Sequence, residues 1–136
     1  MPQQTTNYGM SVEVALTYEQ AVERTREELA KEGFGVLTEI DVRATLKKKL
    51  DVDFRPYIIL GACNPPIAHQ ALSAERDLGL LLPCNVIVYA SDEPDKSVIA
   101  AIDPVEQLKL AGNASIAPFA EEVRERLERV LDAAAS

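Results

Sequence analysis

The sequence predicts an α+β fold: a mainly antiparallel sheet of about five strands, with two long helices on one face and several short helices between strands. Three observations predict it. Short alternating or apolar runs recur at 8–15, 34–40, 54–62, 80–89 and 98–102. Two amphipathic stretches, one opening at Thr17 and one covering 116–134, are long enough to lie across a sheet. Only the link at 91–96 is short and polar enough for a tight hairpin.

Each element has a local cause. Met10, Val12 and Val14 alternate with Ser11 and Glu13, the pattern of a half-buried strand. Thr17 with Gln20 three residues on forms a capping box, and Gly33 supplies the left-handed stop. Between them Tyr18, Val22, Thr25 and Leu29 make one apolar stripe. Phe34, Val36 and Ile40 read as the inward face of a second strand. Asp41 caps a short helix on which Val42, Leu46 and Leu50 recur every fourth residue. Arg43 and Lys47-Lys48-Lys49 make that helix basic, which suits either a solvated C-terminal turn or an anion or partner patch.

Arg55-Pro56 opens the third strand, in which Gly61 marks a bulge or a close approach. Asn64-Pro65-Pro66 is a helix start, since Asn caps well and proline loses nothing where its N–H would be free. That helix is expected over about 65–74. Leu80 to Tyr89 is the most apolar run, and Pro83 predicts a bend or bulge within it. Asp103-Pro104-Val105-Glu106 repeats the cap-plus-proline signal, and the helix ends near Gly112-Asn113. The last helix carries Phe119, Val123, Leu127 and Val130 as its stripe, with Glu122–Arg126 and Glu125–Arg129 as favourable pairs. Residues 1–7 are expected to be a disordered tail ahead of a single domain at 8–136.

Composition narrows the function classes. The chain has 136 residues, 22 acidic against 14 basic side chains, and a net charge of −8. Such a surface repels phosphate backbones and anionic membranes, so neither nucleic acid nor membrane is an expected partner. No apolar run approaches the ~18 residues that span a bilayer, and the polar first residues carry no secretory signal pattern. The expectation is a cytoplasmic protein with reduced thiols. Two cysteines without a C-x-x-C pair make neither a disulfide framework nor a zinc ribbon.

The segments GFGVLTEIDVRATLKKKLDVDFRPYIILGACNPPIAHQAL, GLLLPCNVIVY and AIDP resemble the domain of unknown function 302 family. The likeness is close over about 33–104, and the joint presence of GACNPP and LLPCNV is its most specific part. The resemblance implies a single-copy TATA-binding-protein-like topology and a homodimer. It implies no activity, and the likeness to a DNA-binding fold is topological only.

The chemistry-bearing residues concentrate in Leu60 to Tyr89, where both cysteines precede asparagines: Cys63-Asn64 and Cys84-Asn85. Cys63 stands just before a helix N-terminus, which can favour a thiolate, but Pro65 and Pro66 delete two of the N–H donors that would do so. Each thiol reads either as a buried neutral core group or as a reactive or ligating one. If strands three and four are neighbours, the two cysteines form a pair for redox or soft-metal chemistry, with His69 as a third ligand. Asn64 and Asn85 either satisfy backbone or orient a polar ligand; Asp103 is a helix cap or a cleft carboxylate. No phosphate loop, nucleophile elbow or zinc-binding helix motif is present. The expectation is a non-enzymatic, homodimeric binding module without a cofactor or metal, taking a small-molecule ligand or a protein near Cys63, Asn64, Cys84, Asn85 and Asp103. A thiol-dependent or soft-metal protein using Cys63 and Cys84, or a structural partner in a complex, are the competing readings.

Overall fold

The computed structural model describes residues 2–3 and 6–136. Its elements are β1 (Gly9–Val14), α1 (Tyr18–Lys31), β2 (Gly35–Asp41), α2 (Val42–Leu50), β3 (Tyr57–Cys63), α3 (Pro65–Ala74), β4 (Cys84–Ala90), β5 (Ser97–Ile102), α4 (Pro104–Leu108) and α5 (Ala117–Ala134). Short 3-10 segments occupy Arg76–Leu81, Lys109–Ala111 and Ala114–Ile116. The sheet order is β1-β5-β4-β3-β2, and every neighbouring pair is antiparallel. Because β1 and β2 are the two edges, α1 must cross the whole sheet to join them.

The main core lies between the sheet and the two long helices. Ile58, Leu60 and Ala62 on β3, Val86 and Val88 on β4, and Ile99 and Ala101 on β5 face Ala21 and Leu29 of α1 and Leu127, Val130 and Leu131 of α5. Burying one such aliphatic side chain contributes about 1.5–3 kcal/mol. A second, smaller core joins Ala71 of α3, Leu78, Leu108 of α4, Ile116 and Ala120.

The local signals act as expected. Thr17 and Gln20 form a reciprocal capping box. Asp41, Asn64 and Asp103 cap α2, α3 and α4 through the N–H groups of Ala44, Ile67 and Val105. Gly33 takes φ +83°, the left-handed stop of α1.

Three expectations need correcting. Val36 lies opposite Ala62 on the core side, but a register shift between Val36 and Thr38 turns Ile40 to the other face. Ile40 is consequently exposed rather than inward. Leu80 and Leu81 belong to a 3-10 segment, not to β4, which begins only at Cys84 after a cis Leu82-Pro83 peptide. Arg129 forks onto Glu32 Oε1 at 3.1 and 2.9 Å instead of pairing with Glu125 in its own helix, and so ties α5 to the end of α1. The loose tail expected at 1–7 falls partly outside the described residues; within them, Gln3 and Ser11 exchange two backbone hydrogen bonds of 2.8 Å.

Gly61 is the close approach that its position in β3 suggested, and the bulge belongs to the partner strand. A Cβ there would collide with the Thr38 side chain and come within 2.9 Å of Pro83 Cγ. Gly61→Ala should therefore lower unfolding stability by about 1–3 kcal/mol, measured by denaturant titration. Adding Thr38→Ala should restore part of that loss; equal effects with and without Thr38 would refute the steric account.

Candidate functional site

The register of β3 against β4 places Ala62 opposite Cys84 and Gly61 opposite Asn85. The two Cys-Asn dipeptides therefore meet at one end of the sheet, on neighbouring strands. There the main core and the smaller core are separated by a cleft of about 280 Å³. Phe34, Ala62 and Val123 line it from the main core, and Ala71, Leu78 and Leu108 from the smaller one.

Three of the five candidate residues share this cleft: Cys63, Asn64 and Cys84. Cys63 is half-buried and Cys84 buried. Asn64 is buried, with its Oδ1 accepting the Ile67 N–H at 3.3 Å. Asn85 does not join them. One residue past Cys84, it points to the opposite sheet face, where it is exposed and lines a broad, shallow basin with Tyr57, Ile87 and Tyr89. Asp103 also stands apart. It is buried, caps α4, and lies 3.3 Å from Arg124 Nε. Only its neighbour Pro104 reaches the cleft.

The walls of the cleft are held by polar contacts that the sequence did not advertise. Gln107 Nε2 donates to the Leu81 carbonyl at 2.8 Å, and Asn113 Nδ2 to Glu75 Oε1 at 3.0 Å. Both bonds tie the segment after β5 to the segment after α3. Asn113 had a sequence signal, since it sits at the expected helix end; Gln107 had none, because its partner is distant in the chain.

The matching family model, described as domain of unknown function DUF302, covers residues 10–134. This chain belongs to the DUF302 family. It is also similar to a solved structure titled "uncharacterized conserved protein DUF302" from Bacillus stearothermophilus. That likeness has 30% identity and a TM-score of 0.86, and covers 95% of this chain and 99% of the other. No curated protein matches the sequence. The five-stranded antiparallel sheet with its helices is consistent with a TATA-binding-protein-like arrangement.

The chemistry of this DUF302 cleft is that of an apolar surface. Among the described residues that line it, none carries a charge. Burial raises the Cys63 thiol above its ordinary value. Burial, with a smaller contribution from Cys63, pushes the Cys84 thiol up to about 11. Neither shift favours a thiolate. His69, offered as a third ligand, is exposed on α3. Among the described residues, no group of three His, Cys, Asp or Glu is placed to hold a metal ion. No helix among them is long and apolar enough to cross a membrane.

The raised Cys84 value has a sign that can be checked. The folded state holds the Cys84 proton more tightly than the unfolded chain does. The stability tied to this group is thus whole below the unfolded thiol value and is lost as pH rises from about 9 to about 11. The expected loss is on the order of 2–3 kcal/mol. Cys84→Ala should flatten that part of the stability–pH curve, as read by urea unfolding at pH 8, 9, 10 and 11. An unchanged slope would show that the thiol is not held neutral.

Proposed function

We propose that this DUF302 domain is a non-enzymatic binding module that holds a small apolar ligand in the cleft between its two cores. One observation carries the reading: the cleft that Cys63, Asn64 and Cys84 share is walled almost wholly by aliphatic and aromatic side chains. Its volume, about 280 Å³, is near the lower end of the ~300–1,000 Å³ typical of ligand pockets. Water in such a space makes few hydrogen bonds, so an apolar occupant gains by displacing it.

The thiol-enzyme alternative is weaker on the same ground. Catalysis through Cys63 needs a thiolate, and burial disfavours it. Pro65 and Pro66 at the start of α3 also remove two N–H groups that could stabilise the anion. The soft-metal alternative lacks a third ligand among the described residues. In this reading Cys63 acts as a small, soft wall group.

The test uses ethylbenzene and acetophenone as neutral probes. Both are expected to bind, seen as chemical-shift changes confined to cleft residues, and to slow alkylation of Cys63 by iodoacetamide. Ala68→Phe, which places a ring in the cleft from α3, should abolish both effects while leaving the fold intact. Absence of binding by either probe to the native protein would end this reading.

We also propose that the module is a homodimer joined through the sheet face opposite α1 and α5. That face carries Ile59, Ile87, Val98 and Ile102, with Tyr57 and Tyr89 stacked at 5.3 Å. Ile40, Val52 and Phe54 extend its exposed apolar margin. An antiparallel sheet usually shows a polar outer face when that face meets water, and an apolar one argues for an interface. The basic cluster on α2 gives an otherwise acidic chain a complementary patch for such an association. Sedimentation equilibrium at tens of micromolar is expected to give a dimer, and Ile87→Lys a folded monomer. A native monomer at that concentration would refute the interface.

A further inference from the structure

Asn64 has a property that helix capping does not explain. It is only 7% exposed. Its Oδ1 caps α3, a task that Asp, Ser or Thr would also perform. Its amide nitrogen has no acceptor among the described residues, since the side chain's one hydrogen bond is the one its oxygen receives from Ile67. That nitrogen lies beside Gly33, where a Cβ would stand 3.0 Å from it. The turn that ends α1 thus makes room for the amide without pairing it. The nitrogen is not fully enclosed, so it remains free to donate to a molecule outside the chain. The donor borders the cleft, and the other lining side chains there are apolar groups and two thiols.

We propose that the occupant of the cleft is a neutral molecule with a compact apolar body and one hydrogen-bond acceptor, a carbonyl or ether oxygen, which takes the Asn64 amide proton. This rests on the ligand-binding reading of the cleft and assigns its chemical class. The size follows from the volume. A cavity of ~150 Å³ is known to take one benzene, so 280 Å³ suits a substituted ring, a bicyclic compound or a medium alkyl chain. The charge follows from the lining. With no cation among the described lining residues, a carboxylate would lose its hydration and regain one amide hydrogen bond. That exchange is unfavourable. A ketone, ester, lactone or amide loses little hydration and satisfies the donor.

The experiment compares ethylbenzene, acetophenone and benzoate, which share a ring and differ in the acceptor and charge. Dissociation constants are measured by chemical-shift titration on the native protein, on Asn64→Asp and on Asn64→Ser. Both variants keep a capping oxygen and lose the amide, and their melting temperatures confirm that α3 is intact. Acetophenone is expected to weaken about 3- to 10-fold in both variants, with ethylbenzene unchanged within about twofold. Benzoate is expected to bind the native protein at least tenfold more weakly than acetophenone. If acetophenone and ethylbenzene change in parallel, or benzoate matches acetophenone, the assignment of class is wrong while the cleft remains a binding site. If neither neutral probe binds the native protein, the cleft reading and this one fall together.

Discussion

The register of β3 against β4 is the constraint on which the rest of the molecule depends. With Ala62 opposite Cys84, the chain leaves β3 into α3 and returns into β4 at the same end of the sheet. The connection between them, α3 and the 3-10 segment at Arg76–Leu81, has to fold back over that end. It touches the main core through Ile67, while α1 and α5 cover the sheet. Its other buried side chains build a small core with α4 and the start of α5. The cleft is the seam left between the two. A slip of one residue would turn Cys84, Val86 and Val88 outward and expose Asn85 to the core. Gly61 helps to fix the register, since only there can Thr38 of β2 and Pro83 before β4 close over β3.

Signals carried by neighbouring residues were legible in the sequence. The Thr17–Gln20 box, the Asn64-Pro65 and Asp103-Pro104 starts and the Gly33 stop work through bonds spanning two to four residues. The period-two strands were legible for the same reason. What was not legible depends on distant partners. Leu80 to Leu82 are as apolar as a strand, yet no neighbouring strand is available to them. Ile40 faces outward because of a register shift against β3, a pairing with a distant part of the chain. Arg129 had two carboxylates in reach, and the one it takes, Glu32, is on α1.

The candidate site shows the same division. Reading Cys63-Asn64 and Cys84-Asn85 as one neighbourhood depended on β3 and β4 being adjacent, and they are. Treating each dipeptide as a unit obscured what alternation requires: in a strand, successive side chains point to opposite faces. Asn85 must therefore leave the face that Cys84 occupies. Asn64 escapes this rule because the strand has ended and α3 has begun, so it turns with the helix cap toward the cleft. The two asparagines, alike in sequence, belong to different surfaces. Asp103 is separated for a further reason: its buried carboxylate serves the α4 N-terminus and Arg124.

These two surfaces impose different chemistry on any function the domain performs. The open sheet face is broad and shallow, and its apolar side chains are spread over β3, β4 and β5, a shape that suits another flat protein surface better than a small molecule. The cleft is narrow and walled by two cores, and a small occupant there would touch both. An occupant bridging Phe34 and Leu78 would join the main core to the smaller one, whereas the Gln107 and Asn113 bonds lie within the smaller part. A ligand bound at the seam, as proposed, would therefore stabilise the segment from α3 to Leu81 more than the sheet. Such coupling would suit the proposed binding module, and it would need no reactive group from either cysteine.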